Sequence, residues 1–417
     1  MWTIYIERYC YLKKRITFHK DINQGRKLCS CILACILFLF LLITSCVGSN
    51  ENFATNTEIL TSTKSNSPSP RPTNTIFLPN TKMSNLRVLG NFVYSDFQGI
   101  YSLNLQTKEK ITLDFFSGRI HTDVNVRDGK VYYLRTQAST IGFGPGKIYS
   151  ANIEGGQPEQ FTFGTDYENN LVVSDDGSIL AFSSDNNSDK SDRYKITILN
   201  TEDRNSAVLI QNKDYSYIFL NWSPNNKNLV FFENTKPGIS GRLFLYNLND
   251  KSLTELLPEK LLLCTQIAWS PDGEKIALGI IEKDQIGIYI YTIKSKNLQK
   301  IINIDKKPEN IQWSSQSDFL IYEISNSSRQ TNEPMGLYFL NIKTGILSAL
   351  QEGSIDGNFY SYRARWSSDG KFVEYNINPE KDLWVIRVQN VVSGNSYDIE
   401  FLEPFTFYPE SWEIIEN

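Results

Sequence analysis

An all-β chain closed into a ring of seven four-stranded antiparallel blades, a β-propeller, is predicted by three features of these 417 residues. Five of the seven tryptophans hold one phase of a repeated phrase: Trp222-Ser-Pro-Asn-Asn, Trp269-Ser-Pro-Asp-Gly, Trp313-Ser-Ser-Gln-Ser, Trp366-Ser-Ser-Asp-Gly and a truncated echo at Trp412. Their spacings of 47, 44, 53 and 46 residues mark a repeat in which no unit buries its apolar face alone and neighbours must stack. The aromatic share of 13% is mainly Tyr and Phe, which suit a pleated, half-buried surface. No stretch of the body shows an apolar 3.6-residue period long enough for a helix.

The chain opens with a leader, residues 1–45. Up to Leu28 it carries seven Lys and Arg against Glu7 and Asp21, so the overall charge of −4 hides a body at −9. An acidic body argues against nucleic acid, whose affinity comes mostly from cations on phosphates. Leu28 to Ile43 is an apolar run of 16 residues, short of the roughly 20 that span a bilayer and suited to a signal-peptide core. It ends in Ile43-Thr44-Ser45-Cys46, which resembles the lipobox of bacterial lipoproteins. That resemblance implies cleavage before Cys46, acylation of its sulfur and a membrane attachment through it. The basic region is longer than is usual for such leaders, and an uncleaved anchor helix stays open as the alternative. Both readings place the body outside the cytoplasmic membrane, because the positive flank stays inside.

Residues 46–85 follow as a tether. Ser, Thr, Asn and Pro make up 24 of the 39 residues from Val47 to Asn85. Such a stretch has too little apolar surface to fold and should be solvated and extended.

Residues 86–417 are the propeller. The unit from Gln266 reads as strand Gln266 to Trp269, a tight turn, then strands Lys275 to Ile281, Gly287 to Ile293 and Leu298 to Ile302. Asp272-Gly273 and Asp369-Gly370 supply the turn residues that reverse the chain. Asp128-Gly129 and Asp176-Gly177 begin copies that lack Trp. The first unit, from Phe92 to Leu113, has only strands two to four, and the last, around Trp412, only strand one. Pairing those halves closes the ring and removes free sheet edges at the seam. This count gives seven blades, with six or eight as the neighbouring solutions, and a closed ring of this kind is expected to be a monomer.

The Trp-Ser-Pro-Asp-Gly phrase, followed by an apolar strand and then Ile288-Tyr289-Ile290-Tyr291, is similar to the WD40-like propeller repeats of TolB. Similar repeats form the propellers of prolyl-oligopeptidase-type peptidases. The resemblance implies the fold and leaves function open, because propellers host binding and catalysis alike.

Little in the body carries chemistry. No Gly-x-Ser-x-Gly elbow occurs, and no residues remain for a hydrolase domain. The only body histidine is His121 and the only body cysteine Cys264, so zinc sites built on several such ligands are excluded by count. Gly142-Phe-Gly-Pro-Gly146-Lys147 lacks the spacing of a phosphate loop and reads as a hairpin tip. Asp185 to Asp192 alternates oxygen ligands as calcium loops do, but Lys190 and Ile196 break that pattern. No cofactor or metal is expected. Trp222, Trp269, Trp313, Trp366 and Trp412 recur in phase, as do Asp272, Gly273, Asp369 and Gly370, and they read as structural.

Long loops (Gln137 to Lys147, Asp185 to Arg193, Glu233 to Gly241, Ser325 to Met335) and tyrosine-rich blade connections with Tyr167, Tyr215, Tyr217, Tyr360 and Tyr362 gather at one end of such a ring. Aromatics of this kind favour protein contact patches, and lining blade junctions is their other role. The function expected is a non-enzymatic, membrane-anchored module outside the cytoplasm that binds a protein or envelope partner. The alternative is an enzyme or receptor for a glycan or peptide that uses channel carboxylates.

Overall fold

The computed structural model describes residues 76–77, 81–82, 91–95, 99–104, 107, 109–115, 119–139, 142–143, 146–186, 193–236, 240–257, 263–282, 285–324, 336–352, 364–367, 369–380, 383–401 and 408–412. They form seven blades, each built on four antiparallel strands that follow sequence order except at blade 1, and contain no helix. Blade 1 holds Tyr408–Trp412, Asn91–Ser95, Gly99–Asn104 and Lys110–Phe115. Blade 2 runs from Arg119–Arg127 to Glu159–Gln160, blade 3 from Tyr167–Val173 to Ser206–Asn212, and blade 4 from Ser216–Trp222 to Leu253–Leu257. Blade 5 runs from Leu263–Trp269 to Asn297–Ile304, blade 6 from Pro308–Trp313 to Leu347–Glu352, and blade 7 from Arg365–Trp366 to Asn395–Phe401.

The expected closure is present. Tyr408–Trp412 pairs antiparallel with Asn91–Ser95, with Trp412 opposite Phe92. The chain's end thus supplies the first strand of the blade that its beginning left incomplete.

Two short segments within the expected tether join the sheets. Ile76–Phe77 lies parallel to the outermost strand of blade 6, and Thr81–Lys82 parallel to that of blade 7. The leader and Cys46 lie outside the described residues. Among the described residues no helix is long and apolar enough to cross a membrane.

The core lies between blades. Val230, Phe232 and Leu243 of blade 4 pack on Ile267, Ile276 and Leu278 of blade 5, for example. Polar stitches join the first strands of neighbouring blades. Leu171 N–H donates to Asp123 (3.0 Å), Asn170 reaches the Tyr217 carbonyl (3.4 Å), and Trp269 N–H donates to Asn221 (3.1 Å). Asn310 and Gln312 both donate to the Ala364 carbonyl, at 2.7 and 2.8 Å. The first strands of blades 2, 3, 4 and 6 carry a bulge, with positive φ at Asp123, Asn170, Phe219 and Asn310. Asp and Asn tolerate that left-handed conformation.

The repeated tryptophans stitch backwards. Trp313 Nε1–H donates to the Ala268 carbonyl of the preceding blade (3.0 Å), Trp366 to Gln312 (3.3 Å) and Trp222 to Val172 (3.4 Å). Trp269 differs from these three, its buried Nε1 having no hydrogen-bond partner among the described residues. Trp313→Phe is therefore expected to destabilise more than Trp269→Phe, by about 1 kcal/mol, because only the first loses a hydrogen bond. Urea unfolding midpoints of the two variants check this.

The Asp-Gly turns are held by local bonds. Ser270 Oγ–H and Glu274 N–H (2.9 Å) both donate to Asp272 Oδ1, and Gly273 takes a φ of 75°. Although burial opposes ionisation, the bonds from Ser270, Glu274 and Lys275 hold Asp272 below the usual carboxylate range. Asp369 accepts from Ser367 and Lys371 in the same way, beside Gly370 at a φ of 70°.

Candidate functional site

Because strand direction alternates within each blade, the turns after strands one and three lie at one end of the ring. The loops after strand two and the connections between blades lie at the other. At that connection end three large apolar side chains stand in solvent: Phe115 (58% exposed) closing blade 1, Phe163 (74%) between blades 2 and 3, and Tyr167 (37%) opening blade 3. Tyr215, between blades 3 and 4, is half-buried. Tyr360 and Tyr362 lie outside the described residues.

Tyr217 belongs elsewhere. It is 3% exposed, packs edge-on against Phe231 at 5.5 Å, and accepts a hydrogen bond from Asn212. Burial pushes its phenol up to about 12. It is a core residue and leaves the candidate face. Phe115 and Phe163 were not singled out from the sequence; the only signal for them is an aromatic placed next to a blade boundary.

Two buried ion pairs adjoin these residues along the chain. Lys147 Nζ, at the start of blade 2's third strand, donates to the Asp166 carbonyl (2.8 Å) and to Glu168 Oε1 (2.9 Å). Glu168 also accepts from the Thr162 hydroxyl, and that hydroxyl accepts from Ile148 N–H at 2.9 Å. Burial pushes the Glu168 carboxyl up, against the pull of Thr162 and Lys147. The network fixes both ends of the 162–168 connection and leaves Phe163 pointing out. Between blades 1 and 2, Asp114 accepts from Arg135 Nε and from the Tyr133 hydroxyl, each at 2.8 Å, and makes a further bond to Arg135 Nη2. The Arg135 guanidinium lies 3.9 Å from the centre of the Tyr149 ring, a stacking that favours a cation. A cavity of about 370 Å³ opens beside this pair, lined by residues 112–115 and 156–158.

The other buried carboxylates near this end are also engaged. Glu233 pairs with Arg242, and Glu323 accepts from Asn310 (2.6 Å) and Ala364 N–H (2.7 Å).

Glu374 differs. It sits in blade 7 opposite Arg365, 1% exposed, with neither carboxylate oxygen hydrogen-bonded to a described residue. Burial holds its carboxyl well above the ordinary range, against the pull of Arg365. A carboxyl raised on folding contributes stability below its unfolded pKa and loses it as pH rises through the folded one. Glu374→Gln is therefore expected to match the parent near pH 4 and to be more stable by about 1–3 kcal/mol at pH 8. Denaturant midpoints across that range check the sign.

The weaker motifs resolve simply. Gly142–Phe143 pairs back on Ala138 and Ser139 as the expected hairpin. Asp185 is held by Arg193 through two bonds of 2.8 and 3.0 Å, and the intervening acidic loop lies outside the described residues. The His121 side chain does too. Cys264 is buried, and desolvation pushes its thiol up to about 12. Among the described residues no three His, Cys, Asp or Glu side chains converge as metal ligands do.

No family model matches the chain, and no curated protein sequence matches it. Many solved structures share its fold. An oligogalacturonate lyase from Vibrio parahaemolyticus matches with a TM-score of 0.55 and 12% identity, over 79% of this chain and 91% of that one. A puromycin-hydrolysing peptidase from Mycobacterium tuberculosis matches with a TM-score of 0.50 and 13% identity, over 71% of this chain and 50% of that one. TolB from Acinetobacter baumannii matches with a TM-score of 0.47 and 13% identity, over 77% and 81%. At such identities the likeness is one of fold, and the chain shares its β-propeller with proteins of unlike activities.

Proposed function

We propose that this chain is a lipid-anchored, extracytoplasmic propeller that binds a protein or cell-envelope partner and performs no catalysis. The observation that carries this reading is the exposure of three aromatics, Phe115, Phe163 and Tyr167, at the connection end. Exposed aromatics on a rigid support present large contact area at low entropic cost, which is how binding anchors work. The supporting carboxylates Asp114, Glu168, Glu233 and Glu323 are tied to cations or backbone amides. That commits them to architecture and weighs against a glycan- or peptide-directed enzyme using them as acid and base. The leader ending in Cys46 supports the anchor.

Site-specific photocrosslinking in intact cells tests the reading. A crosslinker at position 163 is expected to yield a discrete adduct, and one at Val392, in a turn at the opposite end and 82% exposed, none. Cys46→Ser is expected to release the chain from the membrane fraction. Equal adduct patterns at both positions, or none at 163, would overturn the binding face.

A further inference from the structure

In two blades the outermost strand already has a neighbour from outside the four-strand repeat. Ile76 and Phe77 pair with Ser348 and Ala349 of blade 6, and Thr81 and Lys82 pair with Asn395 and Ser396 of blade 7. Both additions are parallel, and both are backbone pairings of an extended segment. The outer edges of these blades therefore accept a fifth strand.

Blade 1 comes next around the ring. Its outermost strand, Lys110–Phe115, has no strand on its outer side among the described residues. Instead the cavity of about 370 Å³ runs alongside it, within the size range of ligand sites. Blade 2 provides the far wall. The connection at 156–158 leads into its short fourth strand, Glu159–Gln160, and lines the cavity, while Gly155 beside it packs close to Ile111 of blade 1. Gly155 and Gly156 hold that connection at φ values of 101° and 120°, which side chains rarely adopt. The near wall, residues 112–115, is about 13 Å of strand, room for about four extended residues.

We infer that blade 1 takes an extended peptide of the partner as a fifth strand, parallel to Lys110–Phe115, as blades 6 and 7 take residues 76–77 and 81–82. This rests on the reading of the protein as a protein-binding module and specifies how the partner is held. Main-chain hydrogen bonds to the edge supply affinity, and side-chain positions supply selectivity. Exposed Phe115 at one end of the slot favours an apolar or aromatic residue. The buried Asp114 and Arg135 beside it are bonded to each other, so an uncharged residue fits there better than a charge that would have to compete with that pair.

The test uses the full-length chain in detergent micelles and a phage-displayed library of random peptides of about ten residues. Gln157 is exposed on the far wall, and Gln157→Trp fills the slot without entering the core. Val392→Trp, in a turn of blade 7, is the control. Selected peptides are expected to bind the parent and Val392→Trp alike, and Gln157→Trp at least about tenfold more weakly. Bound peptide is expected to slow amide hydrogen exchange across 110–115 in the parent. This exchange measurement decides the matter if Gln157→Trp fails to fold. Enrichment of no peptide, equal binding to Gln157→Trp, or unchanged exchange at 110–115 would overturn the inference. Crosslinks at position 163 that survive in Gln157→Trp would leave the binding module standing while the slot falls. Loss of the 163 crosslink in Gln157→Trp, alongside peptide binding, is the expected result; no crosslink at 163 in the parent would remove the binding module as well.

Discussion

Deleting residues 408–417 is expected to abolish cooperative unfolding and leave an aggregating chain. Tyr408–Trp412 is the first strand of blade 1 and the only described strand on the inner side of Asn91–Ser95. Without it two blade faces lose their partner at once, and the exposed edge of Asn91–Ser95 becomes a template for pairing between molecules. The loss approaches the whole stability of a typical domain, about 5–15 kcal/mol. Calorimetry and sedimentation of the truncated chain check this, and a synthetic peptide spanning 402–417 is expected to restore the transition in trans. A truncated chain that still melts cooperatively as a monomer would show that the seam is dispensable.

Asp114→Ala is expected to cost about 3–5 kcal/mol, the usual penalty for stranding a buried charge. Arg135 is 9% exposed, and two of its nitrogens bond to the one Asp114 oxygen that also accepts from Tyr133. Removing the carboxylate takes these bonds from the guanidinium, and the Tyr149 ring it stacks on does not replace a counter-ion. The double variant Asp114→Leu with Arg135→Met is expected to recover most of that loss, because an apolar pair of similar volume removes the desolvation cost along with the attraction. Guanidinium chloride titrations of the three proteins give the cycle. A double variant no better than Asp114→Ala would mean that the pair specifies the blade 1 to blade 2 contact rather than merely neutralising itself.

The blades with tryptophan were legible because a local phrase repeats. Ser270, Asp272 and Gly273 form a turn almost entirely through contacts within six residues, so sequence reports it directly. Ring closure was legible for a different reason, since the first and last units were incomplete in complementary ways. The candidate site was only partly legible. Asp114 and Arg135 are 21 residues apart on different blades, and nothing near either announces the other. Tyr217 was misplaced because the bulge between Ile218 and Asn221 shifts the register. That slip makes Tyr217, Leu220 and Trp222 the buried residues of the strand, where strict alternation would have turned Tyr217 away from the core. The pairings at 76–77 and 81–82 were not legible because a strand of two residues is too short to show an alternating pattern.

Those two pairings also set how the molecule bears load. A pull on the chain from its N-terminal side reaches the outer edges of blades 6 and 7 before it reaches Asn91–Ser95 at the seam. Drawn along its own axis, a strand parallel to its neighbour must break its hydrogen bonds together rather than unzip them singly. Residues 76–82 would thus act as a strain relief, holding tension away from the joint that keeps the ring shut.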